Sequence, residues 1–157
     1  MTAQKTGAGK VGIAALIIAI AAPLVLYYEG TIKRTYRDPI GIITACTGHT
    51  GPELRMGQTF TKAQCDALLR DDLIKHFEGI QPCIKRELKP NEQAALLSFA
   101  FNVGVSATCK SSLVRMLNAG EPAAVWCAQL KRWVYAGGKK LNGLVKRREA
   151  EYQMCIQ

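Results

Sequence analysis

Residues 11–28, VGIAALIIAIAAPLVLYY, carry no charged side chain and run without a spacer into Glu29. As a helix rising about 1.5 Å per residue, such a run nearly crosses a hydrocarbon core of about 30 Å. It has no polar face, so it needs lipid or protein on its sides. It is a marginal permanent span, being rich in Ala, interrupted by Pro23 and poor in Leu and Phe. Lys5 and Lys10, with no acid among the first ten residues, favour a cytoplasmic N-terminus, whereas Lys33, Arg34 and Arg37 beyond the run weaken that asymmetry. Three readings compete. The first is a cleaved signal, for which Ala19-Ile20-Ala21 matches the small-x-small pattern, although cutting after Ala22 would place Pro23 first in the mature chain. The second is a permanent anchor, and the third a weak signal-anchor that exports the domain, holds it at the membrane and later leaves the bilayer. Low hydrophobicity favours the third over the second; the first and third stay open.

The 157 residues suffice for one compact domain behind this leader, and 48% hydrophobic against 21% charged residues excludes both a disordered chain and a polytopic membrane protein. The net charge of +9 suits polyanions: nucleic acid, anionic lipid or an anionic cell-wall polymer, or simply a basic solvated surface. The aromatic residues do not interleave with the basic ones as a single-strand stacking platform requires, so nucleic acid is not an expected partner. Cys46, Cys65, Cys83, Cys109, Cys127 and Cys155 all follow the leader, which fits a domain oxidised after export better than six reduced core thiols. With no Cys-x-x-Cys pair and only His49 and His76 for imidazole ligands, no metal site is expected.

Past the leader the period is that of strands. Ile42, Thr44 and Cys46 alternate with Ile43, Ala45 and Thr47, Asp38-Pro39-Ile40-Gly41 has turn chemistry, Gly48-His49-Thr50-Gly51-Pro52 breaks the strand, and Gln58-Thr59-Phe60 reads as a short last strand. A sheet of two or three strands cannot stand alone and must lean on helices. From Thr61, whose spacing to Gln64 is that of a capping box, a stripe of Cys65, Leu68, Leu69, Leu73, Phe77 and Ile80 predicts a long helix to about Gly79. Further helices are predicted from Pro90, with Asn91 as cap, to Gly104; from Ser111 or Ser112 to Gly120; from Glu121-Pro122 to Gly137-Gly138; and from Asn142 or Gly143 to Cys155. The fold class is therefore α+β and mostly helical: an N-terminal apolar helix, a small antiparallel sheet lobe and a helical lobe joined by a long helix. A cleft between the lobes suits an extended ligand.

Glu29, at the edge of apolar surroundings, has the poorly solvated setting of a general acid, and Asp38, in a polar turn, has reason to stay ionised. Two carboxyls in opposed environments are the pattern of glycoside hydrolysis, with Thr44 placed to hold a water that Asp38 polarises. The plainer alternative is that Glu29 merely ends a helix and Asp38 starts a turn. For His49 a structural tie is favoured, with Asp71 or Asp72 of the long helix reaching back to it. Lys131, Arg132, Lys139, Lys140, Lys146, Arg147 and Arg148 form either a solvated face or an attractor for an anionic polymer, and Arg147 or Arg148 approaches Glu29 if the last helix packs behind the leader. Trp126 and Trp133 share a helical face and suit the core better than sugar stacking.

Glu29, Asp38 and Thr44 reproduce the Glu-x8-Asp-x5-Thr pattern, and around them stand Tyr28-Glu29-Gly30, Tyr36-Arg37-Asp38, Gly48-His49-Thr50-Gly51, Phe101-Asn102-Val103-Gly104, Arg132-Trp133-Val134-Tyr135-Ala136-Gly137-Gly138 and Gly143-Leu144-Val145-Lys146-Arg147-Arg148-Glu149. From Leu26 to Cys155 the chain resembles the phage-type lysozymes, the T-even phage lysozyme family of glycoside hydrolases. The Ala-rich leader running into the acid is similar to signal-anchor-release endolysins of lambdoid-type phages. The chain departs from the family pattern in Cys46-Thr47 before Gly48, where many relatives have an aromatic residue, in Pro39 after the Asp, and in Cys83 and Cys109, which are extra to the usual cysteine set.

The resemblance implies a lysozyme-like fold and an endolysin that cuts the β-1,4 bond between N-acetylmuramic acid and N-acetylglucosamine in peptidoglycan, with inversion and no cofactor. Glu29 would be the acid, and Asp38 would polarise a water placed with the help of Thr44. Residues 1–28 would be the signal-anchor-release segment and residues 29–157 the muramidase domain. The protein, a monomer, would sit in the host inner membrane through residues 11–28, facing the periplasm, and then be released into it, with depolarisation as the expected trigger. No cysteine precedes Cys46, so no leader thiol is available to reshuffle a blocking disulfide; a conformational switch is expected, with Glu29 pinned at the membrane until the leader folds against the helical lobe. The expected bridges are Cys46–Cys65, from sheet to helix start, and Cys127–Cys155, between C-terminal helices, leaving Cys83–Cys109. Two other functions are weighed: a non-catalytic basic membrane disruptor of holin or antimicrobial type, and a wall-binding module with a degenerate site, against which the complete Glu29, Asp38 and Thr44 set argues.

Overall fold

The computed structural model describes residues 8–157; Lys5 and the rest of the leader's start lie outside the described residues. Helix α1 (Ala8–Glu29) contains the whole apolar run, with Pro23 inside it. It ends where Gly30, at φ +68°, turns left-handed and donates its N–H to Leu26 O at 3.0 Å. One stripe of α1, formed by Ile17, Ile18, Ala21 and Val25, is buried against Leu69 and Leu73 of α2 (Lys62–Ile80) and Ala94 and Leu97 of α3 (Pro90–Val103). Ile13 is 52% exposed and Tyr27 80%, so the fold covers one side of a helix that is apolar all round.

The sheet lobe is antiparallel, β1 (Ile32–Arg37), β2 (Ile43–Cys46) and β3 (His49–Thr50) in that order. The third strand is His49–Thr50 and not Gln58–Phe60. Cys46 at φ +55° and Gly48 at φ +74° fold the chain back, so the glycine expected to break the strand makes a hairpin. Gln58–Phe60 instead lies along the free edge of β1, with a single bridge between Thr59 and Arg34. Ala45, Cys46 and Leu54 form a small core with Cys65, the first buried residue of α2.

Helix α2 joins the lobes. Thr61 caps it, accepting from Gln64 N–H, while Gln64 Oε1 accepts from Thr61 N–H. It runs to Ile80, and a 3₁₀ turn containing Pro82 follows. At α3 the cap differs from expectation. Pro90 already occupies the first turn, so Glu92 accepts from Lys89 N–H at 2.8 Å, and Asn91 is spent elsewhere, donating to Met154 O and Gln157 O at the end of the chain. Gly104, at φ +92°, separates α3 from a short α4 (Val105–Cys109) that hydrophobic spacing did not reveal. Ser111 caps α5 (Ser112–Asn118).

The helix expected from Pro122 to Gly137-Gly138 is not continuous. It is α6 (Ala123–Trp126), a 3₁₀ stretch over Cys127–Arg132, and then a hairpin of β4 (Tyr135–Ala136) and β5 (Lys139–Lys140). Gly137 and Gly138 both have positive φ, as a two-residue hairpin turn requires, so they turn strands and do not stop a helix. Trp126 is fully buried, and Trp133 packs edge-on to Phe99 at 5.1 Å. Helix α7 (Asn142–Cys155) packs on α3, and bridges join Cys46–Cys65, Cys83–Cys109 and Cys127–Cys155.

Candidate active site

Glu29 is the last residue of α1, which places it where the leader, the sheet lobe and the helical lobe meet. Arg147 Nη1 donates to Glu29 Oε1 at 2.6 Å; the arginine side chain is 4% exposed and the glutamate 26%. Glu29 Oε2 accepts no hydrogen bond from the described residues. Arg147 also donates from Nε to Glu151 Oε1 at 3.2 Å and from Nη2 to Ser98 O at 3.2 Å, and Ser98 Oγ donates to Glu151 Oε1 at 2.7 Å. Arg148 does not touch Glu29. Its guanidinium donates to Glu151 Oε2, to Asn102 Oδ1 and, from Nε at 3.0 Å, to Trp133 O. Burial pulls the Arg148 pKa down from the ordinary arginine value, against the opposing pull of Glu151.

Two guanidiniums therefore face two carboxylates in a nearly dry cluster, and the charges balance only when Glu29 is present. A buried cation left unpaired is costly, so Arg147 favours the docked position of Glu29. Glu151 and Ser98 were not singled out from sequence. The signal for Glu151 was its spacing, four residues after Arg147 and three after Arg148, which puts all three within reach along one helix.

Asp38 lies in the β1–β2 turn. Its Oδ1 accepts from Ile40 N–H at 3.0 Å and Ile42 N–H at 2.9 Å, and its own N–H donates to Ile42 O at 2.9 Å. Oδ2 accepts no bond from the described residues. Thr44 is 4% exposed and sits opposite Tyr36 on β1 and Thr50 on β3. Its hydroxyl donates to Ile42 O at 3.1 Å, the carbonyl that also receives the Asp38 N–H, which leaves the hydroxyl's lone pairs to accept. Asp38 and Thr44 are thus fixed to one another through a shared backbone group.

His49 is 5% exposed, with Asp72 Oδ2 2.8 Å from Nδ1 and Glu53 Oε1 2.6 Å from Nε2. Asp71 takes no part, and Glu53 is a second carboxylate that sequence reading had not paired with this histidine. Burial works against the imidazolium, but the bonds to Glu53 and Asp72 outweigh it and hold the His49 pKa above its ordinary value; the same bond holds Glu53 below the ordinary carboxylate value. With Cys46–Cys65, this cluster ties the sheet lobe to α2. No group of three or more His, Cys, Asp or Glu among the described residues is arranged to hold a metal ion.

Glu29 and Asp38 are each held at one carboxyl oxygen, and comparison with known proteins identifies the class. Residues 27–151 match the phage lysozyme family model, and the chain belongs to the phage lysozyme family; it is a glycoside hydrolase of the lysozyme class with a lysozyme-like fold. It is 43% identical to the SAR-endolysin of bacteriophage PS119 over 82% of this chain and 76% of that one. Among solved structures it is similar to the muramidase domain of SpmX from Asticaccaulis excentricus (TM-score 0.79, 28% identity, 91% and 95% of the two chains) and to a variant of P22 lysozyme (TM-score 0.78, 28% identity, 87% and 95%). The protein is thus an endolysin, with a lysis function.

Proposed function

We propose that Glu29, Asp38 and Thr44 perform the hydrolysis and that the substrate is the β-1,4 bond between N-acetylmuramic acid and N-acetylglucosamine in peptidoglycan. One observation carries the assignment: the fold holds Oε1 of Glu29 and Oδ1 of Asp38, while Oε2 and Oδ2 accept no hydrogen bond from the described residues. Protonated Glu29 gives its proton from Oε2 to the leaving oxygen, and the carboxylate this leaves is the form that pairs with Arg147. Asp38 Oδ2 accepts a proton from a water whose other O–H is received by Thr44 Oγ1, and the water attacks the opposite face of the sugar, so the anomeric configuration inverts. Arg147 positions Glu29. No metal or organic cofactor enters this scheme.

The leader supplies regulation. An 18-residue window, Gly12–Glu29, has a mean hydropathy of 1.9, yet the docked helix uses only one stripe of it. We infer that the uncovered sides serve a second environment, the host inner membrane, and that residues 1–28 act as a signal-anchor-release segment for the muramidase domain 29–157. While α1 spans the bilayer, Glu29 is held at the membrane surface on the periplasmic side and cannot meet Arg147. Release into the periplasm lets α1 dock on α2 and α3, completing the site. The test is to place a cleaved secretory signal ahead of the leader and to replace the exposed Ile13 and Leu16 by Lys, which keeps the buried stripe of α1 but removes its hold on the bilayer, and to compare this replacement with the full chain. The full chain is expected to stay silent until the membrane is depolarised; unchanged lysis timing in the replacement would refute control by the leader. Release of reducing ends from purified murein by the full-length protein, lost in Glu29→Gln, tests the chemistry separately. Lysis that persists in that variant would favour a membrane disruptor.

A further inference from the structure

Helix α1 leans on α3 along its buried stripe and meets α2 less closely, and a furrow of about 620 Å³ stays open between α1 and α2. Its walls are Ala15, Ala19 and Ala22 of α1 and Leu69, Leu73 and Ile74 of α2. The alanines keep it open, because each side chain stops at Cβ, whereas Ile17 and Val25 on the neighbouring stripe are fully buried. The volume is that of a ligand pocket, about 300–1,000 Å³. The furrow has no part in the hydrolysis proposed above.

Its shape and polarity narrow the ligand. Ile13, near the start of α1, lines a neighbouring cavity with Phe77 and Gln81 at the end of α2, so the two helices run in opposite directions. Leu26 therefore marks the end of the furrow near Lys62, and Ala14 the end near Glu78. From Ala14 to Leu26 the helix rises about 18 Å. A hydrocarbon core of about 30 Å holds two leaflets, so one lipid chain spans about 15 Å of it. The furrow thus has the length and the lining for a single acyl chain. Charge is confined to its α2 rim. Lys62 is bonded to Asp66 at 2.6 Å, and Arg70 has no ion-pair partner among the described residues. The rim from Lys62 to Arg70 therefore carries one unpaired cation, while the acid Glu78 lies about 12 Å farther along α2.

We propose that the furrow binds an anionic monoacyl phospholipid, its chain directed toward Ala14 and its phosphate received by the Arg70 guanidinium, whose fork matches phosphate geometry. The inference rests on the reading of α1 as a segment that leaves the bilayer. A chain of the periplasmic leaflet has its headgroup beside the Glu29 end of α1, which is the orientation that the rim charge favours. The furrow exists only when α1 is docked on α2, so bound lipid stabilises the docked leader, as any ligand stabilises the state that binds it.

The test titrates the purified full-length protein, without membranes or murein, with palmitoyl lysophosphatidylglycerol below its critical micelle concentration, read by calorimetry and native mass spectrometry. The expected result is one lipid per chain, a higher melting temperature, and binding about ten-fold weaker for every two carbons removed from the acyl chain. Ala15→Leu/Ala19→Leu fills the furrow and should abolish binding. Arg70→Gln leaves every apolar wall in place and should weaken binding about three-fold, the scale of an exposed ion pair; with the chain-length series it decides the matter if the filled variant does not fold. No binding by the wild type, binding unchanged in either variant, or equal affinity of the wild type for the zwitterionic choline counterpart overturns the proposal. Lysis timing is a separate readout. If the full chain lyses without depolarisation, the reading of the leader fails whatever the titration gives, and a failed titration leaves the timing result standing.

Discussion

Arg147 Nη1 lies 2.6 Å from Glu29 Oε1, a contact that closes across 118 residues of sequence and joins the end of the leader helix to the last helix. Its consequence is that the position of the proposed acid depends on leader docking. The buried cluster carries two guanidiniums, and Glu151 alone does not neutralise them, so docking of Glu29 completes the charge balance.

Arg147→Met is expected to destabilise the docked state by about 1 kcal/mol, because the partly exposed Glu29 loses its cation while Glu151 keeps Arg148. Limited proteolysis should then cut within residues 8–29 in the detergent-free protein, while the rest of the domain stays resistant. Arg147→Lys should dock the leader but lower kcat, since an ammonium cannot hold Glu29, Ser98 and Glu151 in one planar fork.

Asp38→Asn and Asp38→Ala should separate two duties of one side chain. Asparagine can still accept from Ile40 and Ile42 N–H through its amide oxygen, so its melting temperature should stay near wild type while hydrolysis falls about 100-fold or more. Alanine loses both bonds to the turn and should lose activity together with about 1 kcal/mol of stability. Equal activity in the Asp38→Asn variant and wild type, measured as reducing ends released from murein, would remove Asp38 from the mechanism.

The anomer first formed is a direct readout of the geometry. With water attacking from the Asp38 side, a β-linked strand should yield the α product, observable by proton NMR before mutarotation. A β product would instead require a covalent intermediate and a different role for Asp38.

The His49 cluster should make stability depend on pH in a predictable sense. The folded pKa of His49 is raised, so its contribution is fully present below about pH 6.5, its unfolded value, and is lost as pH rises through the folded value. Glu53 is lowered, so its contribution is present above about pH 4.5 and is lost as pH falls through its folded value. The melting-temperature difference between wild type and His49→Gln should therefore be largest in mildly acidic buffer and shrink toward pH 9. A constant difference would assign His49 a packing role only.

Removing Cys46–Cys65 by serine at both positions should cost about 3 kcal/mol, the order expected for a loop of this size, measured by denaturant unfolding. Since that bridge and the His49–Asp72 contact both join the sheet lobe to α2, their losses should be coupled and not additive.

Local chemistry was legible in the sequence. The uncharged run to Tyr28, the turn at Asp38-Pro39, the Thr61–Gln64 box and the last helix from Asn142 follow from period, capping and turn residues, which act over a few positions. The family pattern added the proposed pairing of Glu29 with Asp38. Local signals misled where one residue had two uses: Gly137-Gly138 stops a helix as readily as it turns a hairpin, and Asn91 caps less than it tethers the C-terminus. Only the tertiary structure decided that Arg147, and not Arg148, meets Glu29, and that Glu53 joins Asp72 on His49. Adjacent helical residues point about 100° apart, so the choice between two neighbouring arginines is set by how α7 is rotated against α3 and α1. That rotation is fixed by packing among distant segments, which no short stretch of sequence contains.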